Sequence, residues 1–211
     1  MYNNFMKTFF IDNNSDEIIL FFLGWGMDER PVLPLKSKKD ILYIYDYSNL
    51  DFDFDYSQYK KVYVISFSAG VSVAAYLNLP NINYSVAING TYEVCNPEFG
   101  LGDDMVKVFE SISLTNYLDF RRDYLVNTEE EFDKFNIHAP IRTLKSSMDE
   151  LKALKTYDFK NMQFSYDKVL ISKEDKILTF DKQQKFWGDK LTKINGGHFA
   201  FYNFKTLDEL L

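Results

Sequence analysis

The part of the sequence best suited to chemistry is a short run of mostly small residues, Ser66-Phe67-Ser68-Ala69-Gly70. It follows an apolar, strand-like stretch and leads into a helix-like one, so it predicts a tight strand-to-helix turn. The small residues two positions before and after Ser68 let the backbone fold back, which puts the Ser68 hydroxyl at the apex. We therefore predict Ser68 as a nucleophile for acyl transfer. A small-residue turn without chemistry is the alternative.

A serine nucleophile needs a base that takes its proton and an acid that orients the base. Asp175 follows a strand-like run, and His198 follows the last such run in the turn Gly196-Gly197-His198. Ser68, Asp175 and His198 thus fall at the carboxyl ends of predicted strands, where open α/β sheets place their chemistry. This order predicts a catalytic triad; a structural or exposed role of His198 is the alternative. Three neighbouring acids are alternatives for the triad acid: Asp167, Glu174 and Asp181.

Backbone N–H groups suited to an oxyanion are predicted on two segments. A buried strand runs into Gly24-Trp25-Gly26, where the glycines allow a sharp turn that offers the Trp25 N–H to the site. Ala69 opens the predicted helix, whose amino-terminal N–H groups carry partial positive charge. Trp25 and Ala69 are therefore predicted as the two oxyanion donors. A role of the Trp25 side chain as a core anchor is compatible with this, because the prediction concerns its backbone.

Short apolar, β-branched or aromatic runs recur along the chain, with helix-like segments between some of them. Such continuous runs are typical of strands buried on both faces, so the sequence predicts an α/β fold: a mostly parallel sheet with helices on both faces. The predicted strands are residues 9–11, 18–23, 41–45, 62–65, 84–88, 169–171 and 191–194, and the predicted helices are residues 69–79, 179–188 and 204–211. Turn residues Asn13, Asn14 and Asp16 predict an antiparallel hairpin of the first two strands at a sheet edge.

The alternation of strands and helices stops between residues 92 and 157. This stretch has no β-rich run, but Met105, Val108, Phe109 and Ile112 have helical spacing. We interpret residues 92–157 as a compact helical lid inserted between two strands, and refer to them below as the insertion. No linker or repeat is visible, so residues 1–211 are predicted to form a single domain.

The composition narrows the function classes. With 46% hydrophobic and 26% charged residues and a net charge of -7, the 211-residue chain is typical of one soluble domain. Its single cysteine, Cys95, excludes an internal disulfide and multi-cysteine metal sites, and we expect no metal or other cofactor. The longest apolar run is too short for a membrane span, and residues 1–7 do not resemble a secretion signal. We expect a cytoplasmic protein that binds neither membrane nor nucleic acid, since its net charge repels phosphate.

These motifs resemble the α/β-hydrolases over nearly the whole chain, and look most like the BioG-type pimeloyl-[acyl-carrier protein] methyl ester esterases of biotin synthesis. The resemblance lies in the strand running into Leu-Gly-Trp-Gly-Met-Asp, the Ser-Phe-Ser-Ala-Gly turn, the acid and the Gly-Gly-His turn. It implies a nucleophile at Ser68, an acid at Asp175, a base at His198 and oxyanion donors at Trp25 and Ala69. It also implies that the substrate is a methyl ester on an acyl chain held by an acyl carrier protein.

Two residues depart from the pattern of the broader superfamily. Leu23 stands where many α/β-hydrolases carry a histidine, and Ser66 replaces the first glycine of the serine turn. Neither departure removes a catalytic group. Two other functions stay open at this point: another serine esterase or thioesterase that acts on small acyl esters, and a catalytically inactive hydrolase fold used as a binding module.

The arginines are unevenly distributed. Three of the four arginines in the chain lie in the insertion: Arg121, Arg122 and Arg142. The insertion also holds Lys145. Acyl carrier proteins are strongly acidic, and arginine is well suited to paired contacts with carboxylates or with the phosphopantetheine phosphate. We therefore predict that these three arginines and Lys145 bind the carrier protein. Solvated side chains, or local pairs with neighbouring aspartates, are the alternative.

Overall fold

The strands that the structure describes form one sheet. The computed structural model describes residues 5–160 and 162–211, so residues 1–4, part of the stretch compared with a secretion signal, lie outside the described residues. The strands of the described part are β1 (Lys7–Ile11), β2 (Glu17–Phe22), β3 (Asp40–Tyr45), β4 (Lys61–Phe67), β5 (Tyr84–Ile88), β6 (Lys168–Ser172) and β7 (Leu191–Ile194). Their spatial order is β1-β3-β2-β4-β5-β6-β7, and within this sheet all neighbours except β1 and β3 are parallel. The predicted mostly parallel α/β sheet is confirmed.

Helices connect the strands and fill the insertion. The α-helices of the described residues are α1 (Ala69–Leu77), α2 (Asp103–Glu110), α3 (Tyr117–Phe120), α4 (Glu129–Ile137), α5 (Leu144–Leu154) and α6 (Phe180–Trp187). Helix α1 packs against β2 and β4, and α6 packs against β6. Helices α2 to α5, with a π-helical turn at Arg121–Leu125 that follows α3, lie between β5 and β6. None of the described helices is long and apolar enough to cross a membrane.

The core lies along the central strands. The apolar residues 18–22 of β2 are fully buried, because β3 and β4 flank this strand and other elements cover both of its faces. Phe21, for example, packs against Tyr43 on β3 and against Phe201 near the chain end, with ring centroids 5.8 Å and 5.6 Å apart. Because β2 and β4 are parallel neighbours, their carboxyl ends lie side by side, which brings the Trp25 loop next to the serine turn.

Strand β1 lies at the sheet edge and is antiparallel, but its predicted pairing with the second strand is wrong. It pairs with β3 instead. The Asp40 carboxylate at the start of β3 accepts hydrogen bonds from the backbone N–H groups of Asn13 at 2.8 Å and Ser15 at 3.1 Å. The Asn13 side-chain amide also donates to the Lys39 carbonyl at 2.7 Å. These bonds hold the segment that connects β1 to β2 against the start of β3. Strand β3 therefore lies between β1 and β2 in the sheet.

The predicted helix over residues 204–211 is also wrong. This described end of the chain contains only a 3₁₀ turn at Leu207–Glu209. Thr206 forms a β-bridge with Lys36, and the Leu207 N–H donates to the Lys36 carbonyl at 3.0 Å, so the preceding backbone stays extended. The helices predicted over residues 69–79 and 179–188 are confirmed as α1 and α6, which are slightly shorter than expected.

Candidate active site

The serine turn joins β4 directly to α1, with Ser68 at its apex. The Ser68 backbone has φ 54° and ψ -122°, a conformation that costs a residue with a side chain about 1–3 kcal/mol. The Ser68 N–H donates to the Ile88 carbonyl at the end of β5 at 3.0 Å, which helps to hold this conformation. A Cβ atom at position 70 would lie 2.4 Å from the Phe22 carbonyl oxygen, so Gly70 is required for α1 to begin this close to β2.

The structure brings Ser68, His198 and Asp175 into one hydrogen-bonded chain. His198 Nε2 lies 2.9 Å from Ser68 Oγ, and His198 Nδ1 lies 2.8 Å from Asp175 Oδ2. An ionised carboxylate only accepts, so Nδ1 carries the proton and Nε2 accepts from the serine hydroxyl. The three residues are 8%, 3% and 5% exposed, respectively, so little water competes for these bonds. The arrangement has the geometry of a nucleophile, a base and an orienting acid.

Asp175 is fixed by contacts that the other candidate acids lack. Its Oδ1 accepts from the backbone N–H groups of Ile177 at 2.8 Å and Leu178 at 2.9 Å. Its Oδ2 accepts from Gln183 Nε2 on α6 at 3.1 Å as well as from His198. The three alternative acids are placed elsewhere: Asp167 accepts from Ser85, Glu174 accepts from Asn127, and Asp181 is exposed. Sequence reasoning missed Gln183, which lies eight residues after Asp175, in the first turn of α6.

The turn that carries His198 is held by Asn89, directly after β5. The fully buried Asn89 side-chain amide donates to the His198 carbonyl at 2.7 Å and to Ser172 Oγ at 2.8 Å. Its side-chain oxygen accepts from the Ser172 N–H at 2.7 Å. Asn89 therefore links the ends of β5 and β6 to the histidine turn. Sequence reasoning missed it, although a polar residue directly after a buried strand was a usable signal.

The Trp25 loop is anchored from the insertion. The Trp25 indole N–H donates to the Ser147 carbonyl on α5 at 2.6 Å, and its ring lies 4.7 Å from the Phe109 ring on α2. The Gly26 N–H donates to Glu150 Oε2, also on α5, at 3.0 Å. Among the described residues, the Trp25 backbone N–H has no hydrogen-bond acceptor, and Ala69, as the first residue of α1, has no intrahelical one. Both groups are thus free to donate to a ligand.

Glu150 is the centre of a buried ion-pair network. Besides the Gly26 N–H, its carboxylate accepts from the Tyr47 N–H at 3.0 Å and pairs with the Arg142 guanidinium at 2.5 Å. Arg142 also pairs with Asp46 at 2.9 Å, and its side chain is 4% exposed. Burial raises the pKa of the Glu150 carboxyl, while the neighbouring guanidinium and N–H groups oppose that shift. The Arg142 side chain is thus buried and already paired, which does not favour its predicted contact with a carrier protein.

The other cations predicted to bind a carrier protein differ in environment. Arg121 is buried and lines the cavity beside Ser68, which does not favour a contact with the surface of the carrier protein. Arg122 is 44% exposed and pairs with Asp119 at 3.7 Å and Glu129 at 3.2 Å. Lys145 is 84% exposed and pairs with a carboxylate one turn further along α5. Arg122 and Lys145 are thus the members of the predicted set that solvent reaches.

Cys95 and His138 lie outside the serine site. Burial raises the pKa of the half-buried Cys95 thiol, which disfavours the reactive thiolate. His138 is exposed directly after the end of α4, and neither residue lines the cavity that holds Ser68. Neither is therefore a competing candidate for the chemistry at Ser68.

A small cavity opens onto the Ser68 hydroxyl and the His198 ring. One wall comes from the Trp25 loop and the serine turn, and the opposite wall comes from the insertion. The side chains from the insertion that line it are Phe109, Tyr117, Phe120, Arg121, Leu125, Phe135 and Pro140. Because most of these are apolar, the cavity suits a short acyl chain.

The strand order, the strained serine turn and the hydrogen-bonded serine, histidine and aspartate define an α/β-hydrolase. Proteins of this fold have many activities, so the family must come from closer likeness. The sequence profile of the family described as "Pimeloyl-ACP methyl esterase BioG" matches residues 6–210. The chain belongs to this family, which confirms the resemblance seen in its motifs. It is a carboxylic ester hydrolase with the activity of a pimeloyl-ACP methyl esterase of biotin synthesis.

The chain is similar to individual proteins to different extents. The crystal structure of BioG from Haemophilus influenzae has a TM-score of 0.89 and 29% sequence identity, over 97% of this chain and 99% of that one. A malonyl-[acyl-carrier protein] O-methyltransferase of Bacteroides fragilis is 32% identical over 204 residues, which are 92% of this chain and 41% of that longer protein. A lipase-esterase related protein of Clostridium acetobutylicum, with a TM-score of 0.67 and 16% identity, shares the fold.

Proposed function

We propose that Ser68, His198 and Asp175 carry out the hydrolysis of pimeloyl-ACP methyl ester as a catalytic triad. The observation that supports this most strongly is the continuous hydrogen-bonded chain from Ser68 Oγ through the imidazole to the Asp175 carboxylate, beside the cavity. Each proton in the reaction is moved by these hydrogen-bonded side chains or by water. The mechanism therefore uses no metal and no organic cofactor.

In the first half of the reaction, Ser68 Oγ attacks the carbonyl carbon of the methyl ester. His198 Nε2 takes the serine proton as the new C–O bond forms, and Asp175 stabilises the imidazolium. The tetrahedral intermediate then collapses, the bond to the methoxy oxygen breaks, and His198 returns the proton to that oxygen. Methanol leaves, and the acyl chain stays on Ser68 as an ester.

In the second half, water takes the position of methanol. His198 accepts a proton from the water molecule while the water oxygen attacks the acyl carbonyl carbon. Collapse of the second tetrahedral intermediate breaks the bond to Ser68 Oγ, which takes the proton back from His198. The product is the free carboxylic acid, still attached to its carrier at the other end.

Both intermediates carry a negative oxygen that needs hydrogen-bond donors. The backbone N–H groups of Trp25 and Ala69 fill this role, because they flank Ser68 and have no internal acceptor among the described residues. Losing one such donor typically lowers turnover by about 10²- to 10³-fold. The bonds from Trp25 and Gly26 to α5 hold the loop in this position.

The carrier protein docks against the insertion, which acts as a lid over the cavity of a single-domain enzyme. The acyl chain occupies the apolar cavity, while the carrier's pantetheine arm beyond the thioester extends to the surface. Arg122 and Lys145 are exposed cations of this segment, and their pairs with neighbouring carboxylates can exchange for those of an acidic carrier. The single cysteine agrees with a cytoplasmic location, where thiols stay reduced.

Labelling with a fluorophosphonate tests the triad directly. This reagent phosphonylates activated serine hydroxyls, so we expect stoichiometric labelling of the intact protein and none in Ser68→Ala. Ser66→Ala is the matched control, because Ser66 belongs to the same turn but is fully buried in β4, and it should label normally. Absence of labelling in the wild-type protein, or labelling that persists in Ser68→Ala, would contradict the proposal.

A further inference from the structure

The catalytic cavity contains a buried cation that the proposed mechanism does not use. Arg121 is 7% exposed and lines the cavity together with Ser68 and His198. Among residues 5–160 and 162–211, no carboxylate lies within 4.0 Å of its guanidinium, and no residue forms a hydrogen bond with it. Burying a charge without a partner is costly, so buried arginines are normally paired.

The other two arginines of the insertion, Arg122 and Arg142, are each paired with carboxylates. The Arg142 side chain is 4% exposed, and it pairs with both Glu150 and Asp46. Arg122 pairs with Asp119 and Glu129, although solvent reaches it. Arg121 alone among these three lacks a carboxylate partner in the described part of the chain. Its partner is therefore expected to come from the molecule that fills the cavity.

The Arg121 guanidinium is nevertheless held in a defined place. It stacks 4.2 Å from the centre of the Tyr117 ring and lies 5.6 Å from the centre of the Phe135 ring. Such cation–π contacts orient the guanidinium plane without using its hydrogen-bond donors. Arg121 also begins the π-helical turn after α3, and such turns occur frequently at functional sites. The five donors of the guanidinium are thus available to a ligand in a fixed position.

We infer that Arg121 binds an acceptor oxygen at the far end of the acyl chain whose ester carbonyl lies at Ser68. Most other side chains of the cavity wall are aromatic or aliphatic, so an acyl chain that ends in a methyl group leaves the guanidinium unpaired. An acyl chain with a second carbonyl or carboxylate pairs with it. Arg121 is thus a specificity residue that selects acyl groups of dicarboxylic acids. This inference rests on the proposed function, because it assumes that the reacting ester lies at Ser68.

The test uses free esters without a carrier. We compare kcat/KM for monomethyl esters of dicarboxylic acids with that for methyl esters of monocarboxylic acids of the same length, over a series of lengths. The wild-type protein should prefer the half-ester by about ten- to a hundredfold at the length that spans Ser68 and Arg121. The preference and its dependence on length should disappear in Arg121→Gln and survive in part in Arg121→Lys. The matched control is Lys107→Gln, which removes one exposed positive charge of the insertion. This variant should keep both the preference for the half-ester and its dependence on chain length.

Several results would overturn the inference. One is an Arg121→Gln variant that keeps the wild-type preference. Another is an equal loss of activity on both ester classes in Arg121→Gln. That result would mean that the guanidinium binds the reacting group at Ser68, which both classes share. If Arg121→Gln does not fold, binding to Ser68→Ala decides: this variant should bind monomethyl pimelate at least tenfold more tightly than methyl heptanoate. Equal binding would overturn the inference, while loss of fluorophosphonate labelling in the wild-type protein would concern only the triad.

Discussion

At the scale of single residues, environment rather than residue type separates Ser68, the proposed nucleophile, from its neighbour Ser66. Ser66 and Ser68 belong to the same turn, yet Ser66 is sealed inside β4, while Ser68 has a strained backbone and a hydroxyl 2.9 Å from His198. The same holds for the acids around position 175. Only Asp175, among the four acids considered from the sequence, accepts from the imidazole in the described structure.

Replacement of Asp175 by asparagine tests the role of this carboxylate. The asparagine oxygen can still accept from the Ile177 and Leu178 N–H groups, so the fold should persist with a similar Tm. Its amide, however, would offer N–H to His198 Nδ1 and favour the wrong imidazole tautomer. We expect kcat on a methyl ester to fall by about 10⁴-fold. Glu174→Gln, which changes an exposed neighbouring acid, should keep normal kcat; the reverse pattern would assign the acid to Glu174.

At the scale of elements, the insertion lines the cavity and also holds two of the segments that carry the proposed catalytic groups. Helix α5 holds the Trp25 loop through Ser147 and Glu150, and the turn after α3 holds the histidine turn, because the Phe199 N–H donates to the Leu125 carbonyl at 2.7 Å. The sheet supplies the strand ends and the insertion fixes two of the loops between them. A change within α5 should therefore affect turnover at a distance from Ser68.

Glu150→Gln tests this coupling. Both Glu150 oxygens accept from backbone N–H groups, so a glutamine must turn its own amide N–H toward either Gly26 or Tyr47. The Trp25 loop should then lose its fixed position, which weakens one oxyanion donor. We expect kcat to fall by about tenfold or more, with a smaller change in KM, because the oxyanion forms only during the reaction.

The matched control for Glu150→Gln is Asp149→Asn. Asp149 is the adjacent acid on α5, but it is partly exposed and pairs with Lys145 and Lys152. This variant should keep the wild-type kcat. An unchanged kcat in Glu150→Gln, or an equal fall in both variants, would show that α5 does not position the loop through Glu150.

At the scale of the whole molecule, local sequence patterns predicted the sheet. They also indicated Ser68, His198 and Asp175, which the structure places in one hydrogen-bonded chain. The apolar runs marked the strands, and small residues around Ser68, Trp25 and His198 marked the turns at their carboxyl ends. These signals are local, because strand burial and turn geometry depend on adjacent residues. The edge pairing of β1 and the extended chain end were mispredicted, since Asp40 and Lys36, distant in sequence, determine them.

The site residues that the sequence did not predict are held in place by contacts between distant segments. Glu150 is 124 residues from Gly26, and Asn89 is 109 residues from His198, so no spacing pattern links them. The insertion arginines show the same limit. Their number and position suggested one docking surface, but burial separates Arg121 in the cavity and Arg142 in its ion-pair network from Arg122 on the surface.

The central claim is that Ser68 is the nucleophile that hydrolyses the methyl ester of a carrier-bound pimeloyl group. The most direct test is to incubate the protein with pimeloyl-ACP methyl ester and to follow the intact mass of the carrier. With the wild-type protein we predict conversion to a species lighter by one methylene, with release of methanol, and with Ser68→Ala no conversion. A carrier mass that stays unchanged with the wild-type protein, or that falls at a similar rate with Ser68→Ala, would contradict the account.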